Sequence, residues 1–228
     1  METLLLPSRF NGPPDSANGG YTCGRLAALL DSPCVEVTLR LPPPLDQEMK
    51  VRRLEGKVQL LAGDDLVAEA VPGELEMEIP WSPSFEEART ASRGYIGHSH
   101  HPFPTCFVCG PGRDDGLAIF AGAIGEQVAA PWVPAPELGD EAGFVRPEYM
   151  WCALDCPGAF SVEQNPENPR VLGRLVGELY RPLPVGDQAV VLGWPIGYER
   201  RKAFAGTAIF DSQGALCAAA RAIWIALG

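Results

Sequence analysis

All three histidines of the chain fall within His98-Ser-His-His101, and the pair Cys106-Phe-Val-Cys109 follows five residues later. Imidazole and thiolate are ligands of tetrahedral zinc, and C-x-x-C is a common ligand spacing. No second C-x-x-C pair follows, so four ligands would have to come from one proline-bearing stretch. The competing reading makes Cys106 and Cys109 small apolar residues that shape the turn into Gly110-Pro-Gly112. That reading is preferred, and no metal or other cofactor is expected. A redox role is weaker still, because no helix start follows Cys109 to lower a thiol pKa. Cys152 and Cys156, four apart on one helix face, and Cys23 read as packing residues. No histidine accompanies these thiols in sequence, which argues against a cysteine nucleophile. Arg200-Arg-Lys202 is the densest basic run. Such runs ordinarily mark a solvated strand entrance, but their donors also suit phosphate groups. Arg40 and Arg181 occupy matching places elsewhere. Trp132, Trp151, Trp194, Trp224 and Tyr149 read as core or as the lining of an apolar pocket.

The elements that position these residues come from 228 residues carrying 18 basic and 29 acidic side chains, a formal charge of −11. This balance argues against nucleic acid or an anionic membrane as partner, since both call for clustered cations. With 46% hydrophobic residues the chain can bury a sizeable core. No apolar run is long enough to span a bilayer. Leu4–Leu6 is too short for a secretory signal core and lacks a basic lead, so a cytoplasmic address is expected. The seven cysteines are odd in number and scattered, and read as reduced thiols. The 25 glycines and 23 prolines, spread between apolar segments, imply a β-rich fold with many corners.

Four strands are expected at Val171–Arg181, Gln188–Pro195, Ala203–Phe210 and Ala215–Leu227. Asp211-Ser-Gln-Gly214 forms a hairpin between the last two. Short connections suggest an antiparallel meander. A helix over Arg146–Phe160 precedes them, with Pro147 in its first turn and Pro157-Gly158 at its end, and Gly116–Val133 reads as a strand pair. The N-terminal part repeats this order. A helix at Asn18–Leu30 is followed by strands at Val35–Leu41, Gln47–Val51, Lys57–Leu61 and Leu66–Ala70. The corner Leu39–Gln47 aligns with Leu179–Gln188, and Arg52-Arg53 with Arg200-Arg201. A tandem duplication is therefore expected, with repeats at 1–80 and 106–228 and a surface linker at 81–105.

A helix followed by antiparallel strands, twice over, resembles a double hotdog, an α+β fold in which antiparallel sheets wrap long helices and join side by side. Cys106-Phe-Val-Cys-Gly110 followed by Gly116-Leu117 resembles an opening found among hotdog proteins of the acyl-CoA thioesterase superfamily. Ala153-Leu-Asp155 resembles the acidic helix of the phenylacetate-pathway and 4-hydroxybenzoyl-CoA thioesterases, and Asn18-Gly-Gly20 resembles their His-Gly-Gly entry.

The resemblance implies a site between the two halves. There an amide at one helix start polarises a thioester carbonyl, and a carboxylate from the other helix acts as base or nucleophile. Asn18 stands where the family has His, and still suits a helix cap. In the family pattern the acid lies seven residues after the second glycine. Here Gly20 leads to Ala27 and Asp155 leads back to Glu148. The first half thus keeps the glycines and the second keeps the acid. One composite site is expected, with Asn18, Gly19, Gly20 and Asp155 catalytic, and its Glu148/Ala27 counterpart inert. Arg200, Arg201 and Lys202 would bind the phosphates of coenzyme A.

The function implied is hydrolysis of an acyl-CoA or related thioester. The alternative is an acyl-CoA or small apolar-ligand binding protein without turnover. A dehydratase is less favoured, because no His lies in either helix, and a zinc-bound interaction module built on His98–Cys109 is a further class. The expected partner is a small acyl-CoA-type molecule. A homo-oligomer is compatible with the sequence, although one chain already supplies two halves.

Overall fold

A computed structural model describes residues 2–162 and 169–227. Among the described residues eleven strands form one antiparallel sheet. β1 (Thr3–Leu4), β2 (Cys34–Leu39), β3 (Met49–Leu54), β4 (Lys57–Ala62) and β5 (Asp65–Pro72) come from the N-terminal part. β6 (Gly122–Ile124), β7 (Gln127–Trp132), β8 (Arg170–Leu179), β9 (Ala189–Glu199), β10 (Lys202–Phe210) and β11 (Leu216–Ala226) come from the rest. The spatial order is β1-β3-β4-β5-β2-β8-β11-β10-β9-β7-β6. Each half has the same plan. The strand after the helix (β2 or β8) pairs with the last strand (β5 or β11), and the strand before the helix (β1 or β7) flanks the far side.

The expected meander therefore needs one correction. β9, β10 and β11 do run as consecutive hairpins, but β8 pairs with β11, so β11 and β10 stand between β8 and β9. The reason is long-range. β8 must also pair with β2, Val35 opposite Gly177 and Val37 opposite Leu175, which closes the two half-sheets into one. Side chains reinforce the seam, with Arg174 Nε donating to Thr38 Oγ1 at 3.0 Å and Arg174 Nη1 lying 3.1 Å from Glu36.

α1 (Gly19–Ala27) begins at Asn18, whose Oδ1 accepts from Tyr21 N at 2.9 Å. This is the side-chain cap that a helix start requires. The helix expected over Arg146–Phe160 is two helices, α3 (Pro147–Ala153) and α4 (Cys156–Ser161). Both open with a proline in the first turn, where its missing N–H costs nothing. Pro157 thus starts a helix where the sequence suggested an end.

The 81–105 stretch holds a further helix, α2 (Phe85–Ser92), with a reciprocal capping box between Ser84 and Glu87. It packs on β6, β7 and β9. Ala88 and the neighbouring Leu75, Met77 and Ile79 join Val190, Leu192, Ala208 and Phe210 in a second apolar layer. The alternate residues of the same strands, Val191, Ala205 and Ile209, face the main core with α1, α3 and α4. Burial on both faces explains the near-continuous apolar runs of β9 to β11. Among the described residues no helix is long and apolar enough to cross a membrane.

Candidate active site

α1 and α3 cross closely and run in opposite directions. A Cβ on Gly20 would stand 2.6 Å from Trp151 O and 2.7 Å from Asp155 Cβ; one on Gly24 would stand 2.8 Å from Glu148 Cα. Small residues four apart on α1 therefore let the backbones approach. Gly20 was expected among the catalytic residues; its missing side chain makes room for α3.

This crossing brings Asp155 of the second half to the start of α1. Asp155 sits in the break between α3 and α4, with φ −80° and ψ −79°. As the residue preceding α4 it would ordinarily cap that helix, but its side chain does not. It turns to α1, where Gly20 N–H donates to Oδ2 at 2.9 Å and Asn18 Nδ2 donates to the same oxygen at 2.8 Å. The first-turn amide and partial positive charge of α1 suit this carboxylate. Oδ1 is buried and has no hydrogen-bond partner among the described residues. Burial pushes the Asp155 carboxyl up to about 7, against the lowering effect of the Gly20 and Asn18 donors. The break itself is held by β10, because Thr207 Oγ1 donates to Leu154 O at 2.8 Å, both buried.

A cavity of about 510 Å³ opens beside these groups, lined by Asn18, Gly19, Asp155 and Cys156 among others. Its walls include Leu39, Leu172, Phe103, Phe160, Trp224 and Ile225, drawn from both halves. The size and apolar lining suit a small-molecule site. Gly19 N–H, the first of α1, has no acceptor among the described residues. Two cationic side chains, Arg40 and Arg170, line the cavity. Arg200, Arg201 and Lys202 do not line it. They form the exposed β9–β10 turn, with Arg200 at φ 53°. The turn adjoins the cavity wall through Lys202, paired with Ile225, and through Arg201 O, which accepts from Arg170 Nη1 at 3.0 Å.

The structure does not treat the Glu148/Ala27 counterpart alike. Glu148 lies 3.9 Å from Arg146 Nε, Ala27 is buried, and Gly24 packs against Glu148 Cα. Beside them the rings of Phe10, Tyr21 and Tyr149 cluster, Phe10 and Tyr21 stacking at 4.1 Å.

Of the groups that could hold a metal, Cys106 and Cys109 are joined by Cys156, all buried. His101 Nε2 lies 3.3 Å from Cys109 Sγ, whereas His98 packs on Tyr95 and Phe120, and His100 contacts Ser99. The Cys106 loop is tied to the first half by Phe107 N donating to Asn11 O at 2.8 Å and by Arg113 donating to Asn11 Oδ1 at 2.8 Å. Thr207, Gly24 and Cys156 were missed as contributors to this region. The Gly20-x-x-x-Gly24 spacing was the available signal for the crossing.

No protein-family model matches the chain, nor does the sequence of any curated protein. Solved structures do match in fold. The TesB protein of Mycobacterium avium subspecies paratuberculosis superposes with a TM-score of 0.60, covering 99% of this chain and 92% of its own at 11% identity. A Lactobacillus plantarum protein assigned as an oleoyl thioesterase gives 0.60, covering 100% of this chain and 96% of its own, also at 11% identity. The PaaI protein of the Escherichia coli phenylacetic acid degradation operon covers 45% of this chain and 74% of its own, at 12% identity and a TM-score of 0.41. The fold is the double hotdog, with its two half-sheets joined edge to edge.

Proposed function

We propose that the cavity binds an acyl-CoA or related acyl thioester and that Asp155 promotes its hydrolysis. The carrying observation is the buried Asp155 carboxylate of the second half, 2.9 Å from the Gly20 amide of the first and at the wall of the cavity. A carboxylate held by one oxygen, with the other unpartnered, is placed to take a proton from water or to attack a carbonyl. Gly19 N–H, at the positive end of α1, is the donor left for the developing oxyanion. Gly20 and Asn18 orient Asp155. This reading revises the expected roles, since Gly20 N–H is already engaged by the acid. The apolar walls take the acyl chain. Arg40 and Arg170, with the Arg200–Lys202 turn beyond them, supply cations for the phosphates of the carrier.

One observation favours the alternative, an acyl-CoA or apolar-ligand binder without turnover: only one α1 amide remains for the oxyanion. Thiol release from a panel of acyl-CoA esters decides between them, with native protein, Asp155→Asn and Asp155→Ala compared. Loss of about 100-fold or more of turnover in both variants, with folding and ligand binding intact, supports hydrolysis by Asp155. Turnover unchanged in the variants sinks its role. Binding without turnover in the native protein favours the second reading.

A further inference from the structure

Cys106, Cys109 and Cys156 present three sulfurs that all lie within 4.8 Å of one another, with Cys106 and Cys156 3.7 Å apart. A tetrahedral zinc with Zn–S bonds of about 2.3 Å sets its sulfurs about 3.8 Å apart. The three thiols therefore sit close to the spacing of one face of such a tetrahedron. They come from two segments about 50 residues apart, so the cluster is made by the tertiary fold.

Polar donors lie beside two of the three sulfurs. Asn18 Nδ2 lies 3.9 Å from Cys106 Sγ. His101 Nε2 lies 3.3 Å from Cys109 Sγ, while His101 Nδ1 accepts from Phe103 N–H at 2.9 Å. An imidazole that accepts at Nδ1 carries its proton on Nε2, so His101 donates to the Cys109 sulfur. Outer hydrogen bonds of this kind hold ligands in place at zinc sites. The loop needs Gly110, because a Cβ there would stand 2.5 Å from both Cys106 N and Pro104 O. Cys106, Cys109, Asp155 and Cys156 all line the cavity.

We propose that Cys106, Cys109 and Cys156 bind one zinc ion as thiolates, leaving its fourth position open to the cavity for water or a small soft donor such as a thiol. Three protein ligands and one exchangeable position are the arrangement of reactive rather than purely structural zinc sites. Binding displaces one proton from each thiol that is still protonated, and no redox step is involved. The inference stands on the sulfur geometry and does not depend on the thioester reading.

The test is metal loading of the full chain, reduced with a thiol-free phosphine and freed of metal by a chelator. One equivalent of zinc per chain is expected by native mass spectrometry. With cobalt(II) in its place, the spectrum should show strong sulfur-to-metal charge transfer and tetrahedral visible bands. The visible bands should shift when imidazole or a small thiol is added. Cys156→Ser and Cys106→Ser/Cys109→Ser should lose the stoichiometric metal. Cys152→Ser, a buried thiol outside the cluster, should keep it and reports whether loss comes merely from a disturbed core. His101→Ala should weaken binding about 10- to 100-fold without abolishing it. Folded protein that takes up no metal overturns the site, as does binding unaffected by the cluster variants. Cobalt bands insensitive to added donors overturn the open position, as does complete loss of metal in His101→Ala.

Discussion

Replacing Gly20 by alanine tests whether the α1–α3 crossing sets the position of Asp155. The new Cβ would stand 2.6 Å from Trp151 O, 2.7 Å from Asp155 Cβ and 3.1 Å from Cys152 Cα. None of these atoms is the end of a flexible side chain, so relief requires the backbones to part. Ordinary contact begins near 3.4 Å, so the crossing must open by about 0.8 Å. Movement of that size along the hydrogen bond would take Gly20 N–H from 2.9 Å to about 3.7 Å from Asp155 Oδ2, beyond bonding range. Overpacking costs about 1–3 kcal/mol, and alanine returns at most about 1 kcal/mol through helix propensity. A net loss of about 1–2 kcal/mol is expected in urea denaturation. Gly24→Ala is the control. Its Cβ would meet Glu148 Cα and Trp151 Cβ at 2.8 Å, crowding the same crossing without touching Asp155. The two variants should lose similar stability, while thioester turnover falls further in Gly20→Ala. A Gly20→Ala protein as stable and as active as the parent would refute the reasoning.

Three other outcomes follow from the same geometry. Thr207→Val leaves the buried Leu154 carbonyl unpaired and should cost about 1–3 kcal/mol in denaturant titration, with turnover falling as the α3–α4 break loosens. Asn18→Ala removes both the cap on Tyr21 N and a donor to Asp155; about 1 kcal/mol or more of stability should be lost, and kcat should fall more than KM changes. Arg40→Gln, and separately the triple exchange of Arg200, Arg201 and Lys202 to Gln, should raise KM for CoA esters several-fold but leave short thioesters lacking phosphates unaffected. Equal effects on both substrates would remove the phosphate role.

Much of this was legible because it is local. The turn at Asp211–Gly214 follows from its residues: Asp211 Oδ1 accepts from Gln213 N and Ala215 N, and Gly214 takes φ 75°. Asn18 as a cap was equally plain, whereas the facing of Asp155 and the start of α1 was implied by the family resemblance, and the bond from Gly20 N–H to the acid itself was not expected. What was not legible depends on distant segments. The pairing of β8 with β11 is set by the seam with β2, which no window around β8 contains. The break before Asp155 depends on Thr207, 52 residues on, and Pro157 reads locally as a stop or as a first turn. Cys156 looked like a partner of Cys152 because periodicity speaks only of one helix. Its sulfur neighbours are reached through the fold. The helix α2 was overlooked in a polar stretch, although Ser84-x-x-Glu87 announces it.

The seam between β2 and β8 has a further consequence. Because the two halves are parts of one chain, the encounter of Asp155 with the start of α1 is unimolecular, and dilution cannot separate them. The same linkage relaxes inheritance. In a pair of identical subunits any substitution appears twice, so a change that filled one pocket would fill both. Here the two copies mutate independently. Tyr149, next to Glu148 in sequence, can gather with Phe10 and Tyr21 while the cavity beside Asp155 stays open, because the two halves need not carry the same residues.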